Sequence, residues 1–183
     1  MAATTVAIFP QIVNELSRPL FQEAVNKHQS DRGAKRIRHF DAFVAMLFCI
    51  LSGAQSLRDI EFGMLSCANH GVMQHIGIHR VPRSTLAYIN ETRSYKVYED
   101  YYYALYRLYK NSLGKKLRMK FRQPVYLVDS TSISLCLQVF QWAQYTHTKG
   151  ALKLHTAFNN DTQLPEFIVA TDGKVGDVTA ARD

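Results

Sequence analysis

An aspartate after a short apolar run is the residue of this chain best suited to bind a metal ion. Residues 125–128 are predominantly apolar, and Asp129 follows them, with Ser130 and Thr131 next. Such a run predicts a buried strand, where an ionised carboxylate is costly unless a cation or several hydrogen-bond donors meet it. Carboxylate oxygens suit a hard cation such as Mg²⁺ or Mn²⁺. A turn in which the aspartate bonds to nearby backbone is the ordinary alternative, and the residues leave both interpretations open.

Partners for that carboxylate are hard to find elsewhere in the chain. A two-metal site for phosphoryl transfer needs several carboxylates around ions roughly 3.5 to 4 Å apart, and the later candidates are Asp172, Asp177 and Asp183. Asp172 precedes Gly173, which is typical of a turn. Asp177 lies at a predicted helix start, where an N-cap role is usual. The sequence therefore predicts one metal ligand without a convincing second.

The charge balance favours a polyanionic partner. Among 183 residues, 22 are Lys or Arg and 15 are Asp or Glu, which gives a net charge of +7 and a pI near 9.4. Clustered cations gain free energy by releasing the counterions that surround phosphates. The most basic stretch is predicted to be an edge strand with a basic face or a segment that follows DNA. Its basic residues are Lys115, Lys116, Arg118, Lys120 and Arg122, and residues 32–38 form a second cluster.

Three further basic residues are candidates for contact with phosphate. Lys149 follows a predicted loop, and Lys153 and His155 alternate along the next strand, so these two share one face. The functional interpretation is phosphate contact beside Asp129, and the alternative is a strand face exposed to water. His147 and His155 lack the third ligand that a zinc site requires, so no zinc site is predicted.

The spacing of apolar residues divides the chain into a helical part and a strand part. Helical periodicity continues to Leu113, and Gly114 ends the last helix. The predicted helices cover residues 9–16, 18–27, 39–51, 56–66, 84–93 and 95–113. The predicted strands cover residues 125–128, 133–137, 151–158 and 166–171. The predicted fold class is therefore α+β, with a helical domain at residues 1–113 and a strand domain at residues 114–183.

Two of the predicted helices are candidates for a DNA-reading pair. Ser56 and Ser84 are each predicted to cap a helix, and Arg83 and Ser84 stand where a recognition helix contacts bases and phosphates. The connection of residues 67–82 is far longer than the three or four residues usual in a helix-turn-helix unit. Plain helical packing is therefore favoured, with Arg83 and Ser84 kept as DNA-binding candidates. The tyrosines of residues 98–109 are interpreted as core rather than as a base-stacking face.

Cysteine usage and hydropathy favour a cytoplasmic protein. Cys49, Cys67 and Cys136 are far apart and have no CxxC spacing, which is typical of buried thiols in a reducing compartment. The first residues lack a secretory signal pattern. The longest apolar run, residues 42–51, is about half of what a membrane crossing requires, so no membrane association is predicted.

Several motifs occur in an order that resembles the insertion-sequence DDE transposases, whose catalytic domain has a ribonuclease H-like fold. In the strand part they are residues 126–135, 142–143, 149–156, 164–167 and 171–177. In the helical part they are residues 56–61 and 82–86, followed by Asn90 and Arg93. The resemblance spans nearly the whole chain.

This resemblance implies a fold, a reaction and a metal. The strand domain is implied to be the first strands of an incomplete ribonuclease H-like mixed sheet. Asp129 matches the first acidic residue of the catalytic triad and a ligand of Mg²⁺ or Mn²⁺. The implied reaction is metal-dependent cleavage and transfer of double-stranded DNA at transposon ends, within a synaptic homodimer. Asp177 matches a recurrent aspartate, but Gly176 stands where histidine is usual before it.

The remaining two acidic residues of such enzymes lie further along the chain than the positions present here. Three strands and the start of one helix also cannot cover both faces of a sheet. We therefore expect a truncated copy that binds DNA without cutting it, and a stand-alone DNA-binding or regulatory fragment is the alternative. A phosphatase with a strand-end nucleophile would need a second aspartate where Thr131 stands, which makes that class weak.

Overall fold

The computed structural model describes residues 2–69, 77–78, 80–113, 125–135, 150–160, 162, 164–176 and 179. The chain divides into two compact units, residues 1–105 and 106–183, and the division falls within the last helix. The described helices are α1 (Ala2–Glu15), α2 (Arg18–Lys27), α3 (His39–Ser52), α4 (Leu57–Asn69), α5 (Arg83–Thr92) and α6 (Lys96–Leu113). A three-stranded sheet follows them, which confirms the predicted α+β class with a helical amino-terminal region. The domain boundary after residue 113 stays a prediction.

Local signals at the helix ends explain why most predicted bounds lie within about one residue of the observed ones. Gly53 ends α3 in the left-handed conformation, with φ of 70°, where glycine carries no side-chain penalty. The Ser56 hydroxyl accepts a hydrogen bond from the backbone N–H of Asp59 at 3.1 Å, which confirms the predicted cap of α4. The predicted cap at Ser84 is wrong, because α5 already begins at Arg83 with Pro82 at its N-cap.

An aromatic cluster forms the core of the helical unit. The Phe21 ring lies 5.0 Å from that of Tyr101 and 5.1 Å from that of Phe43, and Phe40 and Phe43 also pack against a second cluster that contains Phe9. The interpretation of the first α6 tyrosines as core is therefore confirmed for Tyr101, which is buried. In the last turn of α3, by contrast, two apolar side chains are exposed.

The sheet consists of β1 (Tyr126–Leu135), β2 (Gly150–Asn159) and β3 (Leu164–Asp172), in that order and antiparallel throughout. The predicted break after Asp129 is wrong, since β1 continues through Ser130 and Thr131 to Leu135. These polar residues pair with His155 and Leu154 of β2, and a β-branched threonine is well suited to a strand. Residues 136 and 137 of the predicted second strand lie outside the described residues. The ribonuclease H-like assignment stays a prediction.

None of the described helices is by itself long and apolar enough to cross a bilayer. The pair α3 and α4 meets that requirement only when the two helices are joined across a 97° bend.

Candidate catalytic strand and nucleic-acid contacts

Asp129 lies in the middle of β1, on one face of the sheet. It pairs with Thr156 of β2, which pairs with Ile168 of β3. Directly opposed residues share a face and neighbours in a strand alternate, so Leu127 and Thr131 lie on the face of Asp129 as well. The predicted buried strand is wrong, because Leu127 is 57% exposed and Asp129 itself is exposed. The carboxylate is therefore open to solvent, where an ion or a phosphate group can reach it.

The turn interpretation of Asp129 is also wrong. The residue is paired within a strand, and within the described residues its carboxylate has no hydrogen bond or ion pair. Its hard oxygen donors and its exposure fit a divalent cation such as Mg²⁺.

The described residues supply no second carboxylate beside Asp129. No group of three or more His, Cys, Asp or Glu side chains that could hold a metal ion occurs within them. Asp172 lies on the same face but opposite Leu152 rather than Thr156, so it is roughly 16 Å away at about 3.3 Å per residue and 4.8 Å per strand. Its Oδ1 accepts the backbone N–H of Lys174 at 3.0 Å, which confirms the predicted turn. Asp177 and Asp183 lie outside the described residues.

Lys153 and His155 lie on the face of the sheet opposite to Asp129. They pair with Ser132 and Ser130 in β1, whose side chains alternate with that of Asp129. The two share a face, as predicted. Because Asp129 lies on the other face, the prediction that they contact a phosphate beside Asp129 is wrong. His155 is only 4% exposed, so a water-exposed strand face is wrong for it too.

His155 instead contacts the end of β3, and Lys153 contacts the chain that follows it. The His155 Nε2 lies 2.9 Å from the Thr171 hydroxyl, and the Lys153 ammonium donates a hydrogen bond to the Val175 carbonyl at 3.2 Å. Their role within the described structure is therefore to fix β3 and the following turn against β2. Alternation along one strand could not reveal this, because the face is set by the pairing of β2 with β1.

Glu166 is a residue of the sheet that the sequence analysis missed. The register of β2 and β3 shifts between Ala157 and Phe158, which leaves Glu166 as an extra residue in β3. Such a bulge redirects a side chain, and here it points the carboxylate to the face of Asn159. The Asn159 amide donates a hydrogen bond to it at 2.8 Å, and the Lys110 ammonium lies 3.5 Å from its other oxygen.

These contacts stabilise the charged form of Glu166. The Asn159 amide has the largest effect, and with the Tyr126 hydroxyl and the Lys110 ammonium it lowers the pKa of the carboxyl from 4.5 to about 2 against the opposing effect of burial. The carboxylate in turn raises the pKa of Tyr126. One charged group therefore joins α6 to the beginning of β1, the end of β2 and the bulge of β3.

Two family models match the sequence, and together they cover both parts of it. Residues 4–79 match a domain of unknown function, DUF4372, and residues 120–183 match the transposase DDE domain. A protein of Geobacillus stearothermophilus named "Probable transposase for insertion sequence element IS5377" is 33% identical over 64 residues. That alignment covers 32% of this chain and 17% of the relative, so the chain spans only a small part of the relative's length. No solved structure matches the chain.

Residues 120–183 are therefore similar to the DDE transposases. The resemblance to insertion-sequence DDE transposases is thereby confirmed. Asp129 and the three described strands of the chain lie within the matched segment. Of the predicted DNA-binding residues, Lys115, Lys116, Arg118, Lys120, Arg122 and Lys149 lie outside the described residues.

Arg83 and Ser84 are exposed in the first turn of α5. The backbone N–H of Arg83 donates a hydrogen bond to Glu61 at 3.3 Å. The other Glu61 oxygen accepts two hydrogen bonds from the Arg80 guanidinium, at 2.6 and 3.2 Å. These hydrogen bonds and the Arg80 ion pair lower the pKa of Glu61. The beginning of α5 is thus attached to α4, and the Arg83 side chain itself points into solvent.

Proposed function

We propose that this chain is part of a transposase that binds double-stranded DNA at the ends of its element and, in its full form, cleaves and transfers strands. The observation that carries the proposal is the exposed carboxylate of Asp129 on a paired strand, within the segment that matches the transposase DDE domain. Asp129 is proposed as a catalytic residue and metal ligand. The homodimer and the nucleoid location that the resemblance implies belong to the same proposal.

The chemistry assigned to Asp129 is that of a hard oxygen ligand. Its two carboxylate oxygens would hold Mg²⁺ or Mn²⁺, and such ions polarise phosphoryl oxygens and stabilise the attacking and leaving oxygens of the reaction. The strand fixes the backbone of Asp129 through its pairing with Thr156, which orients the carboxylate for the ion and the DNA. Rigid strands position catalytic groups more accurately than loops do.

Cleavage by this chain alone is not part of the proposal. A two-metal reaction needs several carboxylates around ions roughly 3.5 to 4 Å apart, and Asp172, which shares the face of Asp129, is too distant to contribute. We propose that this 183-residue form binds DNA and does not cleave it. A DNA-binding or regulatory role without catalysis is the second candidate, supported by the same lack of a nearby second ligand among the described residues. Nicking of DNA by the purified chain that depends on Mg²⁺ would contradict this part.

The test of the catalytic role is Asp129→Asn in the intact transposase that carries this segment, with Asp172→Asn as the matched control. Loss of an outer-shell metal partner costs roughly 10- to 100-fold in activity, so loss of a direct ligand should reduce strand cleavage by more than about 100-fold. DNA binding, measured by gel shift, should be retained. Asp172→Asn should cleave normally, because Asp172 serves a turn. Normal cleavage by Asp129→Asn would exclude the catalytic role of Asp129.

A further inference from the structure

A cationic groove lies in the helical unit. It has a volume of about 980 Å³ and lies between α5 and the connector that joins α2 to α3, residues 28–38. We call it the connector groove. Its lining includes Arg32, Lys35, Arg36, Arg80, Tyr88 and Arg93, and no acidic side chain lines it among the described residues. A groove with cations and no acids is suited to an anionic ligand.

The connector is held in a fixed path by one acidic residue. The Asp31 Oδ1 accepts hydrogen bonds from the backbone N–H of His39 at 2.7 Å and from the Arg93 guanidinium at 3.0 Å. Arg93 also donates to the Ile37 carbonyl at 3.4 Å. Gly33 lies inside the turn with φ of 79°, a conformation that favours glycine. These hydrogen bonds therefore attach the connector to the end of α5. They also fix the backbone from which the exposed side chains of the connector extend.

Acidic partners neutralise two of the groove's cations and leave three. Arg93 pairs with Asp31 and Arg80 pairs with Glu61. Arg32, Lys35 and Arg36 are exposed, and no acidic partner is found for them in the part of the chain that the structure describes. Three neighbouring positive charges repel one another, and that repulsion is relieved when a polyanion binds.

The adjoining surface extends the same positive character. Lys35 and Arg36 also line a second cavity of about 380 Å³, together with Arg18 and Arg38. Asp41 borders this cavity too, but its Oδ2 already accepts the backbone N–H of Arg38 at 2.7 Å. Cations therefore continue from one cavity into the next, which suits a ligand with a row of phosphates rather than a single anion.

We infer that the connector groove binds the sugar–phosphate backbone of duplex DNA through Arg32, Lys35 and Arg36. Guanidinium groups bind phosphate through paired hydrogen bonds, and the exposed ring of Tyr88 adds a flat apolar surface beside them. A pocket for a small molecule buries most of its ligand, whereas these three side chains are exposed. The choice of DNA over other polyanions rests on the proposed function. Contacts of this kind position a protein on DNA without reading its sequence.

The test is a triple variant, Arg32→Ala, Lys35→Ala and Arg36→Ala, in the 183-residue chain. Its matched control removes three other exposed cations that do not line the groove, through Arg58→Ala, Lys96→Ala and Arg107→Ala. Fluorescence anisotropy measures binding to a labelled duplex between about 50 and 200 mM salt. The slope of log K against log salt is about −0.9 for each phosphate contact, so the slope of the groove variant should be less steep by about 2.7. Its affinity should fall by up to roughly 500-fold at 0.1 M salt, and the control should change far less.

Further measurements separate a charge effect from misfolding and from a different ligand. Arg32→Lys with Arg36→Lys keeps the charges and should retain most of the binding, and far-UV circular dichroism should be unchanged in every variant. A groove variant with the slope of its control would overturn the inference. Binding of inorganic phosphate or a mononucleotide in the groove, without any contribution to duplex binding, would also overturn it. Neither result bears on Asp129, whose role is tested separately by cleavage.

Discussion

Glu166→Gln tests whether the charged contact at the bulge stabilises the sheet that carries Asp129. The carboxylate accepts the Asn159 amide at 2.8 Å and lies 3.5 Å from the Lys110 ammonium. A fall in its pKa from 4.5 to about 2 corresponds to at most about 3.4 kcal/mol, at 1.36 kcal/mol for each pKa unit. Because the side chain is still 23% exposed, solvent screening reduces this value. We expect the variant to lose about 1 to 2 kcal/mol of unfolding free energy at neutral pH.

The pH dependence gives the prediction a definite sign. Folding lowers the pKa of Glu166, so its contribution is complete above the unfolded value near 4.5 and is lost as the pH falls towards 2. The difference between wild type and Glu166→Gln should therefore be largest at neutral pH. At pH 3 roughly three-fifths of it should have disappeared.

Hydrogen exchange measured by mass spectrometry can follow the sheet separately from the helical unit. Peptides from β2 and β3 report the free energy of opening of these strands, at each pH after correction for the intrinsic exchange rate. Glu23→Gln is the matched control, since Glu23 is exposed in α2. Equal protection in Glu166→Gln and Glu23→Gln at neutral pH would refute the reasoning. A difference in protection between these two variants that stays the same at acidic pH would also refute it.

Two further predictions concern the helical unit and are checked by urea unfolding followed with circular dichroism. Asp31→Asn removes the charge that pairs with Arg93, whose side chain is 13% exposed, and it should lower the unfolding free energy by about 2 to 4 kcal/mol because it leaves a poorly hydrated charge unpaired. An unchanged urea midpoint would show that the Asp31–Arg93 ion pair does not stabilise the helical unit. Gly63→Ala places a Cβ 2.6 Å from the Phe48 ring, which also packs edge-on against Phe9 at 5.4 Å. We expect a net loss of about 1 kcal/mol despite the better helix propensity, and a gain would mean that the ring moves aside freely.

The helices could be predicted from sequence because their signals are local. A serine three residues before Asp59 and a glycine after α3 act within one turn of the chain, and apolar spacing marks the buried side. Ser84 misled the prediction because proline is also found just before a helix, and here Pro82 takes the N-cap position.

The geometry of the sheet could not be predicted in the same way because it depends on strand pairing. The polar residues after Asp129 have the composition of a turn, yet pairing with β2 keeps them in β1. The opposite faces of Asp129 and His155 follow from the register of these strands, and a one-residue bulge decides where Glu166 points. The basic run at residues 32–38 is visible in the sequence. Which of the neighbouring cations remain unpaired depends on Asp31 and Glu61 in the folded unit.

The most direct test of the central claim is to locate the metal ion itself. Crystals of the intact protein that carries this segment, bound to DNA and soaked in Mn²⁺, would give an anomalous signal at each ion. We expect a peak about 2.0 to 2.2 Å from an Asp129 carboxylate oxygen, which disappears in Asp129→Asn. Manganese bound at the DNA elsewhere, with no peak at Asp129, would contradict it.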